Sequence, residues 1–332
     1  MRPTFLPRLV NGPLFDPVLY VRVLNGGEAL MLDCGHFRGL SNREVLGIGA
    51  LCISHTHMNH FMGFDRILRT ILHREGPLDI YGPEGIIDRT HAKLQAYTWN
   101  LTEGYPLEIR IHEIGPQTVT VTRARADAGF ALAEREELPR TGSEVGRATR
   151  YTIEAAVLDH NGIPCLAYVV REPFHVGIRK GVLQARGYLP GPWIARLKES
   201  VLAGSSSKSI PVKTAGGTRE IPVRDLEGEL VFRTPGQSIA YVTDMAFTEG
   251  NLERLEEAAG GVDLLFIEAF YPNELEGLAR RKGHLTTGQA GTIARRLGAR
   301  RVFPMHVSPR CRGSLDLFYR EMGVDPKGFL LR

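Results

Sequence analysis

Three histidines fall within six residues of this sequence, in the segment His55-Thr56-His57-Met58-Asn59-His60. Neutral imidazole is a good ligand for zinc and related divalent ions, so this density of histidines predicts a metal site. Two histidines separated by one residue can reach the same ion, whereas Asn59 and His60 can face a second position nearby. A carboxylate would be the usual ligand where Asn59 stands.

Further polar residues follow short apolar runs elsewhere in the chain. Each of five such runs ends on a residue that can bind a metal or move a proton: His55, His160, Asp244, Glu268 and His306. Runs of this length, bounded by turn-forming residues, indicate strands buried on both faces. Because the ends of such strands meet at one edge of a sheet, we expect these five side chains along a single rim.

These residues together predict a pair of metal ions. The expected ligands are His55, His57, Asn59, His60, His160, Asp244 and His306. An aspartate can bridge two ions with its two oxygens, which is the role expected of Asp244. Paired metals about 3.5–4 Å apart activate water and hold the entering and leaving oxygens of a phosphodiester. We expect five other histidines to form hydrogen bonds instead: His36, His73, His91, His112 and His175.

The composition is that of an ordinary globular protein, with 332 residues, 43% of them hydrophobic and 23% charged. Such a chain can form one large domain or two smaller ones. No stretch approaches the roughly 20 apolar residues that cross a bilayer. The segment Met1 to Val10 lacks the apolar core of a signal peptide, so a cytoplasmic location is expected.

Four scattered cysteines without a CxxC pair predict reduced, mostly buried thiols.

The net charge of +4 permits a polyanionic partner without requiring one. Basic residues concentrate in the middle of the chain: Arg179, Lys180, Arg186, Arg196, Lys198, Lys208, Lys213 and Arg219. This region is either a solvated loop or a surface that contacts a phosphate backbone. The polar stretch from Glu134 to Arg147 has no strong periodicity and is predicted to be a surface loop.

Helices are predicted between the buried strands. Apolar residues recur with helical spacing from Phe64 onward, directly after the histidine cluster. The segment Thr286-Thr287-Gly288-Gln289 matches a capping box that begins a helix, and a third helix is expected to start near Gly250. The segment from Val18 to Leu32 is predicted to be a hairpin that turns at Asn25-Gly26-Gly27.

These motifs resemble those of the metallo-β-lactamase superfamily. Its HxHxDH motif is matched by the segment from His55 to His60, with Asn59 in place of the aspartate. Asp33-Cys34-Gly35 matches the DCG that follows its early strand, and the remaining ligand motifs occur in the same order along the chain.

Other segments resemble the ribonuclease Z branch of that superfamily, the tRNA 3′-processing endonucleases and their relatives. The segment from Gly191 to Lys198 is similar to the GP-containing loop of the branch. Its Glu/His pair is matched by Glu268-Ala269 followed by Gly283-His284. Its HxSxR motif is similar to the segment from His306 to Arg310.

The resemblance implies an α/β fold, the four-layer αβ/βα metallo-β-lactamase sandwich, with residues 1–332 in one domain and a basic insertion at about 171–229. It implies two divalent metal ions, zinc or alternatively manganese, and hydrolysis of a phosphodiester in RNA, with a tRNA 3′ end as the candidate substrate. His284 would donate a proton to the departing 3′ oxygen, and Glu268 would orient it. Ser308, Arg310 and Lys198 would contact the substrate, and the protein would be a homodimer.

Departures from the family pattern leave alternatives open. Asn59 removes a negative charge from the second metal position, so weaker metal binding there is expected, together with loss of any base or water-orienting role. The segment after His284 reads Leu285-Thr286 instead of Ser-Thr, and the segment from Arg171 to His175 is not typical of the tRNA-processing enzymes. One alternative is a catalytically impaired protein that binds RNA or a partner, Asn59 being either a natural change or a deliberate one. Another is a superfamily hydrolase that acts on a different ester or a lactam.

Overall fold

The computed structural model describes residues 4–24, 26–205, 207–311, 313 and 315–331. The strands are β1 Phe5–Leu9, β2 Leu19–Val23, β3 Ala29–Leu32, β4 Ile48–Cys52, β5 Leu78–Pro83, β6 Glu108–Ile114, β7 Thr118–Arg125, β8 Glu136–Pro139, β9 Glu144–Arg147, β10 Thr152–His160, β11 Ile163–Arg171, β12 His175–Ile178, β13 Ser209–Thr214, β14 Gly217–Pro222, β15 Val231–Thr234, β16 Ser238–Val242, β17 Leu264–Glu268 and β18 Arg301–Met305. The α-helices are α1 Asn42–Leu46, α2 Met58–Phe61, α3 Phe64–Ile71, α4 Ile86–Gln95, α5 Lys180–Ala185, α6 Trp193–Leu202, α7 Val223–Leu230, α8 Glu249–Ala259, α9 Glu276–Lys282, α10 Thr287–Arg296 and α11 Leu315–Met322.

The chain divides into two compact units. The first unit contains residues 1–146, 153–170 and 238–332, and the second contains residues 147–152 and 171–237. The longer segment of the second unit, residues 171–237, begins where the basic insertion was predicted to begin. The interpretation of the whole chain as one domain with an inserted arm stays a prediction.

The first unit holds two sheets. Strands β1 to β8 form one sheet in sequence order, antiparallel at both ends and parallel from β3 to β6. The apolar side chains of α1, α3 and α4 pack in the core of this sheet. The predicted hairpin is confirmed by the antiparallel pairing of β2 with β3, although Asn25 of its turn lies outside the described residues.

The second sheet has the order β18-β17-β16-β11-β10-β9, in which β16, β17 and β18 run parallel. Helices α8, α10 and α11 cover it with apolar side chains. Tyr168 of β11 donates a hydrogen bond to the carbonyl of Ile53 at 2.9 Å, so the two sheets of this unit face each other. Because β16, β17 and β18 are parallel, they end at one edge, as predicted for their polar terminal residues.

The prediction of a surface loop from Glu134 to Arg147 is wrong, because this segment contains strands β8 and β9. Both lie at sheet edges, and every residue of β8 is exposed. A strand without a buried face shows no alternation of apolar and polar residues, so its sequence does not indicate a strand.

The predicted helices are confirmed as α3, α8 and α10, and the capping box of α10 is formed by Thr286 and Gln289. Across the described part of the chain, no helix is both long enough and apolar enough to span a membrane. All four cysteines carry free thiols, and three of them are buried.

The second unit contains the antiparallel strand pair β12–β15 and the hairpin β13–β14, together with α5, α6 and α7. Its core is a cluster around Trp193, Leu197 and Leu226. The basic middle region is therefore folded, so the interpretation of these residues as a loop is wrong for most of their length.

Candidate metal centre

The histidine cluster follows β4 after two intervening residues and ends inside the short helix α2, whose N-cap is His57. This segment packs tightly against the loop that contains Asp33-Cys34-Gly35. A side chain at Gly35 would approach the carbonyl oxygen of Asn59 to 2.2 Å, and one at Gly63 would approach the carbonyl oxygen of Gly35 to 2.4 Å. Glycine is needed at both positions because the two backbone segments are in contact.

Asp33 is a buried anchor for the cluster. Its side chain accepts hydrogen bonds from the Ser54 amide at 2.7 Å and the Ser54 hydroxyl at 2.7 Å, and from the Tyr241 hydroxyl at 2.8 Å. Nδ1–H of His60 donates to the same carboxylate at 2.7 Å. The Nδ1 atom of His60 is thus occupied, which leaves Nε2 as the atom that can bind a metal.

Among the described residues, two sets of side chains have ligand atoms within 4.8 Å of one another. The first set is His55, His57, His160 and Asp244. Nε2 of His55 lies 2.8 Å from Nδ1 of His57 and 3.6 Å from Oδ2 of Asp244. Nε2 of His160 lies 3.9 Å from the same carboxylate oxygen. Three imidazoles and a carboxylate from four separate positions form the donor set of a zinc-type site.

The backbone carbonyl of Gly283 fixes the ring of His160. Nδ1–H of His160 donates to this carbonyl at 2.8 Å, which turns Nε2 toward Asp244. Gly283 ends α9 with a φ of +73°, and a Cβ atom there would lie 2.7 Å from Nδ1 of His160. Glycine at this position therefore satisfies both the left-handed backbone and the contact with the ring.

The second set is Asp244, Glu268, His284 and His306. Asp244 belongs to both sets, and its predicted role as a bridge between two ions stays a prediction. Nδ1 of His306 lies 2.7 Å from Oδ1 of Asp244 and 3.6 Å from Oε2 of Glu268. Oε2 of Glu268 in turn accepts a hydrogen bond from Nδ1–H of His284 at 3.0 Å.

Asn59 and His60 lie beside this second set. Nδ2 of Asn59 is 3.1 Å from Nε2 of His306, and Nε2 of His60 is 3.6 Å from Oδ2 of Asp244. His60 Nε2 is buried and has no hydrogen-bond partner among the described residues. A buried ring nitrogen without a partner is costly unless something binds it, so its surroundings fit a metal ion.

Burial and charge set the protonation of these side chains in the metal-free chain. Desolvation lowers the pKa of His55 to about 2, so this ring is neutral and ready to bind a metal. Desolvation also lowers the pKa of His57. Burial would lower the pKa of His306, but the neighbouring Asp244 carboxylate raises it to about 10. Burial opposes ionisation of Asp244, yet the cationic His306 holds the pKa of Asp244 well below its usual range.

His284 occupies the edge of the second set and is held on two sides. Its ring stacks on Phe270 with centroids 3.9 Å apart and planes inclined by 6°. Burial would lower the pKa of His284, but the Glu268 carboxylate raises it, which favours the protonated ring. The fully buried Glu268 is fixed by the amide of Leu285, which donates to Oε1 at 3.0 Å.

Comparison with known proteins identifies the family. Residues 197–307 match the Beta-lactamase superfamily domain. The chain is 35% identical over 320 residues to ribonuclease Z of Deinococcus radiodurans, covering 95% of this chain and 92% of that protein. The chain belongs to the ribonuclease Z family. This membership confirms the predicted resemblance and makes the protein a metal-dependent hydrolase of the endoribonuclease class.

Other ribonuclease Z relatives and solved structures agree with this assignment. Ribonuclease Z of Thermobifida fusca is 29% identical over 303 residues, covering 90% of this chain and 76% of that protein. The crystal structure of human tRNase Z, short form, aligns over 92% of this chain and 93% of that chain, with 18% identity and a TM-score of 0.52. Unliganded yeast PDE1 aligns over 99% of this chain and 96% of that chain, with 13% identity and a TM-score of 0.52. These likenesses confirm the predicted metallo-β-lactamase sandwich.

A cavity of about 350 Å³ in the first unit opens onto the two ligand sets. Its wall contains the predicted site residues His57, Asn59, Asp244, His284 and His306, together with Leu14, Phe15, Asp16, Phe270, Val307 and Pro309. A substrate phosphate that enters this cavity would therefore meet both sets of ligands and His284.

The predicted substrate-binding residues have different environments. Ser308 is buried, and its amide donates to the carbonyl of Phe270 at 3.0 Å, so it supports the cavity wall. Arg310 is exposed on a turn that follows the cavity residue Pro309. Lys198 lies in α6 of the second unit. Substrate contact by these three residues stays a prediction.

Sequence reasoning missed the supporting role of Asp33, which was noted only as part of a motif. The signal was present, because Asp33 directly follows the apolar run of β3, as Asp244 follows that of β16. Tyr241 and Phe270 gave no such signal, since tyrosine and phenylalanine in apolar segments are typical of any core.

Proposed function

We propose that the protein is a metal-dependent endoribonuclease that hydrolyses a phosphodiester at the 3′ end of tRNA precursors. The observation that carries the proposal is the position of Asp244. Its carboxylate is shared by two sets of ligands on the wall of one cavity, and His284 lies 3.8 Å from it. Ribonuclease Z relatives give the substrate class, because they cleave RNA by name.

We propose that the two metal positions are occupied by zinc. His55, His57, His160 and Asp244 would hold the first ion, and Asp244, His60 and His306 with Asn59 would hold the second. A bound divalent ion supplies Lewis-acid polarisation of the phosphate and lowers the pKa of bound water to about 7. Asn59 offers an uncharged oxygen, so the second position binds its ion more weakly than the first.

In this proposal His284 is the proton donor. Its Nδ1–H is held by Glu268, so the ring presents its opposite nitrogen to the cavity that it lines. In the metal-free chain the Glu268 carboxylate raises the pKa of His284 against the effect of burial, which favours the protonated ring. When water attacks phosphorus and the bond to the 3′ oxygen breaks, His284 protonates that oxygen, which leaves as a hydroxyl group.

The second unit supplies a basic surface for RNA. Residues 171–237 contain eleven lysines and arginines against six acidic residues, so this segment accounts for the positive net charge of the chain. Lys208, Lys213 and Arg219 are exposed on or beside the β13–β14 hairpin. Contacts between such cations and phosphates release counterions, so RNA affinity should fall steeply with salt.

A homodimer, which the family resemblance implies, and a cytoplasmic location, which the sequence predicts, remain parts of this proposal. Light scattering on the purified protein tests the first of them. A single species with twice the chain mass of 36.8 kDa is expected.

Cleavage of a tRNA precursor by zinc-loaded protein tests the main proposal, with a generic phosphodiester as a second substrate. The native protein is expected to hydrolyse both substrates. Asn59→Asp should turn them over faster, and His57→Ala should hydrolyse neither. Metal content per chain, measured on the same samples, should rise in Asn59→Asp and fall in His57→Ala. Failure of both the native protein and Asn59→Asp to cleave either substrate would contradict the proposal. Retained RNA binding in that case would favour the impaired, RNA-binding alternative.

A further inference from the structure

A second cavity of the first unit contains two arginines and is separate from the metal centre. Its volume is about 450 Å³, and it is lined by residues of β10, of the turn between β6 and β7, and of helix α8. Its basic residues are Arg140 and Arg254, and its acidic ones are Asp159 and Glu257. Among the described residues, none lines both this arginine cavity and the cavity at the two ligand sets.

The guanidinium of Arg140 is fixed by backbone groups, and one of its donors is left over. It donates a hydrogen bond to the carbonyl of Gly115 at 3.0 Å and another to the carbonyl of Ala155. Nε of the same side chain is buried and has no hydrogen-bond partner in the described part of the chain. Burial lowers the pKa of Arg140, but an arginine stays protonated at neutral pH. A buried donor on a charged group is costly without a partner, so this atom favours the binding of an anion.

Arg254 adds a second cation to the same cavity. It lies on α8 with its side chain exposed, and its Nη1–H is 3.5 Å from Oδ1 of Asn251, longer than a typical hydrogen bond. Across residues 4–24, 26–205, 207–311, 313 and 315–331, no carboxylate forms an ion pair with Arg140 or Arg254, although Asp159 and Glu257 line the cavity. Both positive charges are therefore available to a ligand.

We infer that the arginine cavity binds the phosphate group of a ribonucleotide. Arginine is suited to phosphate because its planar guanidinium offers several donors in a fixed geometry. A volume of about 450 Å³ is in the range of small-molecule sites and leaves room for the sugar. Asp159 and Glu257 supply acceptors for ribose hydroxyls, as acidic side chains do in dinucleotide sites.

This inference goes beyond the proposed endoribonuclease function and does not depend on it. A free nucleotide and a strand of RNA carry the same phosphate and ribose, so both are sources of the ligand. Neither source needs the metal ions in order to reach the arginine cavity, because its wall contains none of their proposed ligands. Binding can therefore be measured with and without zinc.

Titration of the full-length protein with 5′-AMP tests the site. Two-dimensional NMR follows the amide signals of Gly142 and Gly162, which line the arginine cavity. Both signals should shift with zinc present and also after chelation, which distinguishes this site from binding at the ligand sets. Calorimetry after chelation then gives the Kd, and inorganic phosphate should bind less tightly than 5′-AMP because it lacks the ribose.

Arg254→Gln should raise the Kd for 5′-AMP about 10–100-fold, the range for loss of a hydrogen bond to a charged group. The substitution leaves the core intact because Arg254 is exposed, whereas Arg140 holds two backbone carbonyls. Arg43→Gln is the matched control, since Arg43 is an exposed arginine of α1 outside the wall of the cavity. It should match the native protein.

A short oligoribonucleotide, titrated after chelation so that it stays intact, separates the two sources. Weaker binding of the oligoribonucleotide to Arg254→Gln supports an RNA strand as the ligand, and weaker binding of 5′-AMP alone supports a free nucleotide. Unshifted signals of Gly142 and Gly162, or the same Kd values in Arg254→Gln as in the native protein, would overturn the inference. Equal affinities for inorganic phosphate and 5′-AMP would refute the assignment of the ribose to Asp159 and Glu257.

Discussion

Nδ1 of His60 lies 2.7 Å from Oδ2 of Asp33, and both side chains are completely buried. The contact leaves Nε2 of His60 buried and directed toward Asp244, whose Oδ2 is 3.6 Å away. Ser54 and Tyr241 complete the shell of Asp33. A single carboxylate thus fixes the ring of His60, the proposed ligand of the second ion. The same carboxylate is linked to the first set through Ser54, whose hydroxyl lies 3.2 Å from Nδ1 of His55.

Asp33→Asn should lower zinc affinity by about 10–100-fold, as is usual when the partner of a metal-binding histidine is lost. The amide cannot accept all the hydrogen bonds that the carboxylate accepts, so the His60 ring loses its fixed orientation. Competition with a chromogenic chelator measures the change. Asp79→Asn is a matched control, because Asp79 lies 2.9 Å from Nε2 of His112 outside the metal centre. Native affinity in a folded Asp33→Asn protein would refute the role of Asp33.

His284→Ala should retain its metal ions and lose about 10²–10⁴-fold in turnover, the range for removal of a general acid. The role needs testing because His284 also stands within ligand distance of Asp244 and His306. Elemental analysis and single-turnover cleavage on the same sample distinguish the two roles. Loss of metal in His284→Ala would make it a ligand rather than the proton donor. His57→Ala, by contrast, should lose the ion of the first set.

Gly283→Ala should reduce both stability and metal affinity. The left-handed backbone costs about 1 kcal/mol for alanine, and the added Cβ displaces the ring of His160, 2.7 Å away. Gly298→Ala is the matched control, because Gly298 has a φ of +61° with no atom within 4 Å of the added Cβ. Both variants should melt a few degrees below the native protein, because a loss of about 1 kcal/mol in the free energy of unfolding lowers the melting temperature by that amount. Only Gly283→Ala should bind zinc more weakly, and equal zinc affinity in the two variants would exclude the steric explanation.

The metal-free protein should lose stability as the pH falls from about 7 to about 5. Burial lowers the pKa of folded His55 to about 2, whereas the unfolded side chain takes up a proton near pH 6.5. The unfolded state therefore binds more protons below about 6.5, and each further pH unit costs about 1.4 kcal/mol for such a group. The pKa of His306 is raised to about 10, so its stabilising contribution still grows slightly as the pH falls from 7 to about 6.5 and is complete below that pH, where the loss from His55 remains. Urea unfolding after chelation measures the slope, which should be smaller in His55→Gln.

The sequence was most informative about side chains at the ends of buried strands. Apolar runs ending in Asp244, Glu268 and His306 indicate parallel strands, and parallel strands place their ends at one edge for geometric reasons. This rule, together with the histidine cluster, predicts which side chains form the two ligand sets. Asp33 obeys the same rule, so its place in the site was predictable from the apolar run before it. Its role in fixing His60 was not inferred.

Other contacts depend on tertiary structure that a single sequence does not encode in any local pattern. Asn59 and His306 are 247 residues apart, and the contact between their side chains follows from the way the two sheets face each other. The hydroxyl of Tyr241, which lies on the second sheet, likewise donates a hydrogen bond to Asp33, which follows β3 of the first sheet. The edge strands β8 and β9 were missed because a strand is recognised in sequence by the apolar residues of its buried face. Most side chains of these two strands are exposed or only partly buried.

The proposed ligands enter the chain in a fixed order, from His55 near the beginning to His306 within the last tenth of its length. During translation, a ribosome must therefore add 251 residues after His55 before β18 can bring His306 to Asp244. Prematurely terminated copies carry the early histidines without their distant partners. A nuclease assembled in this way has no complete cutting site while it is still being synthesised on RNA.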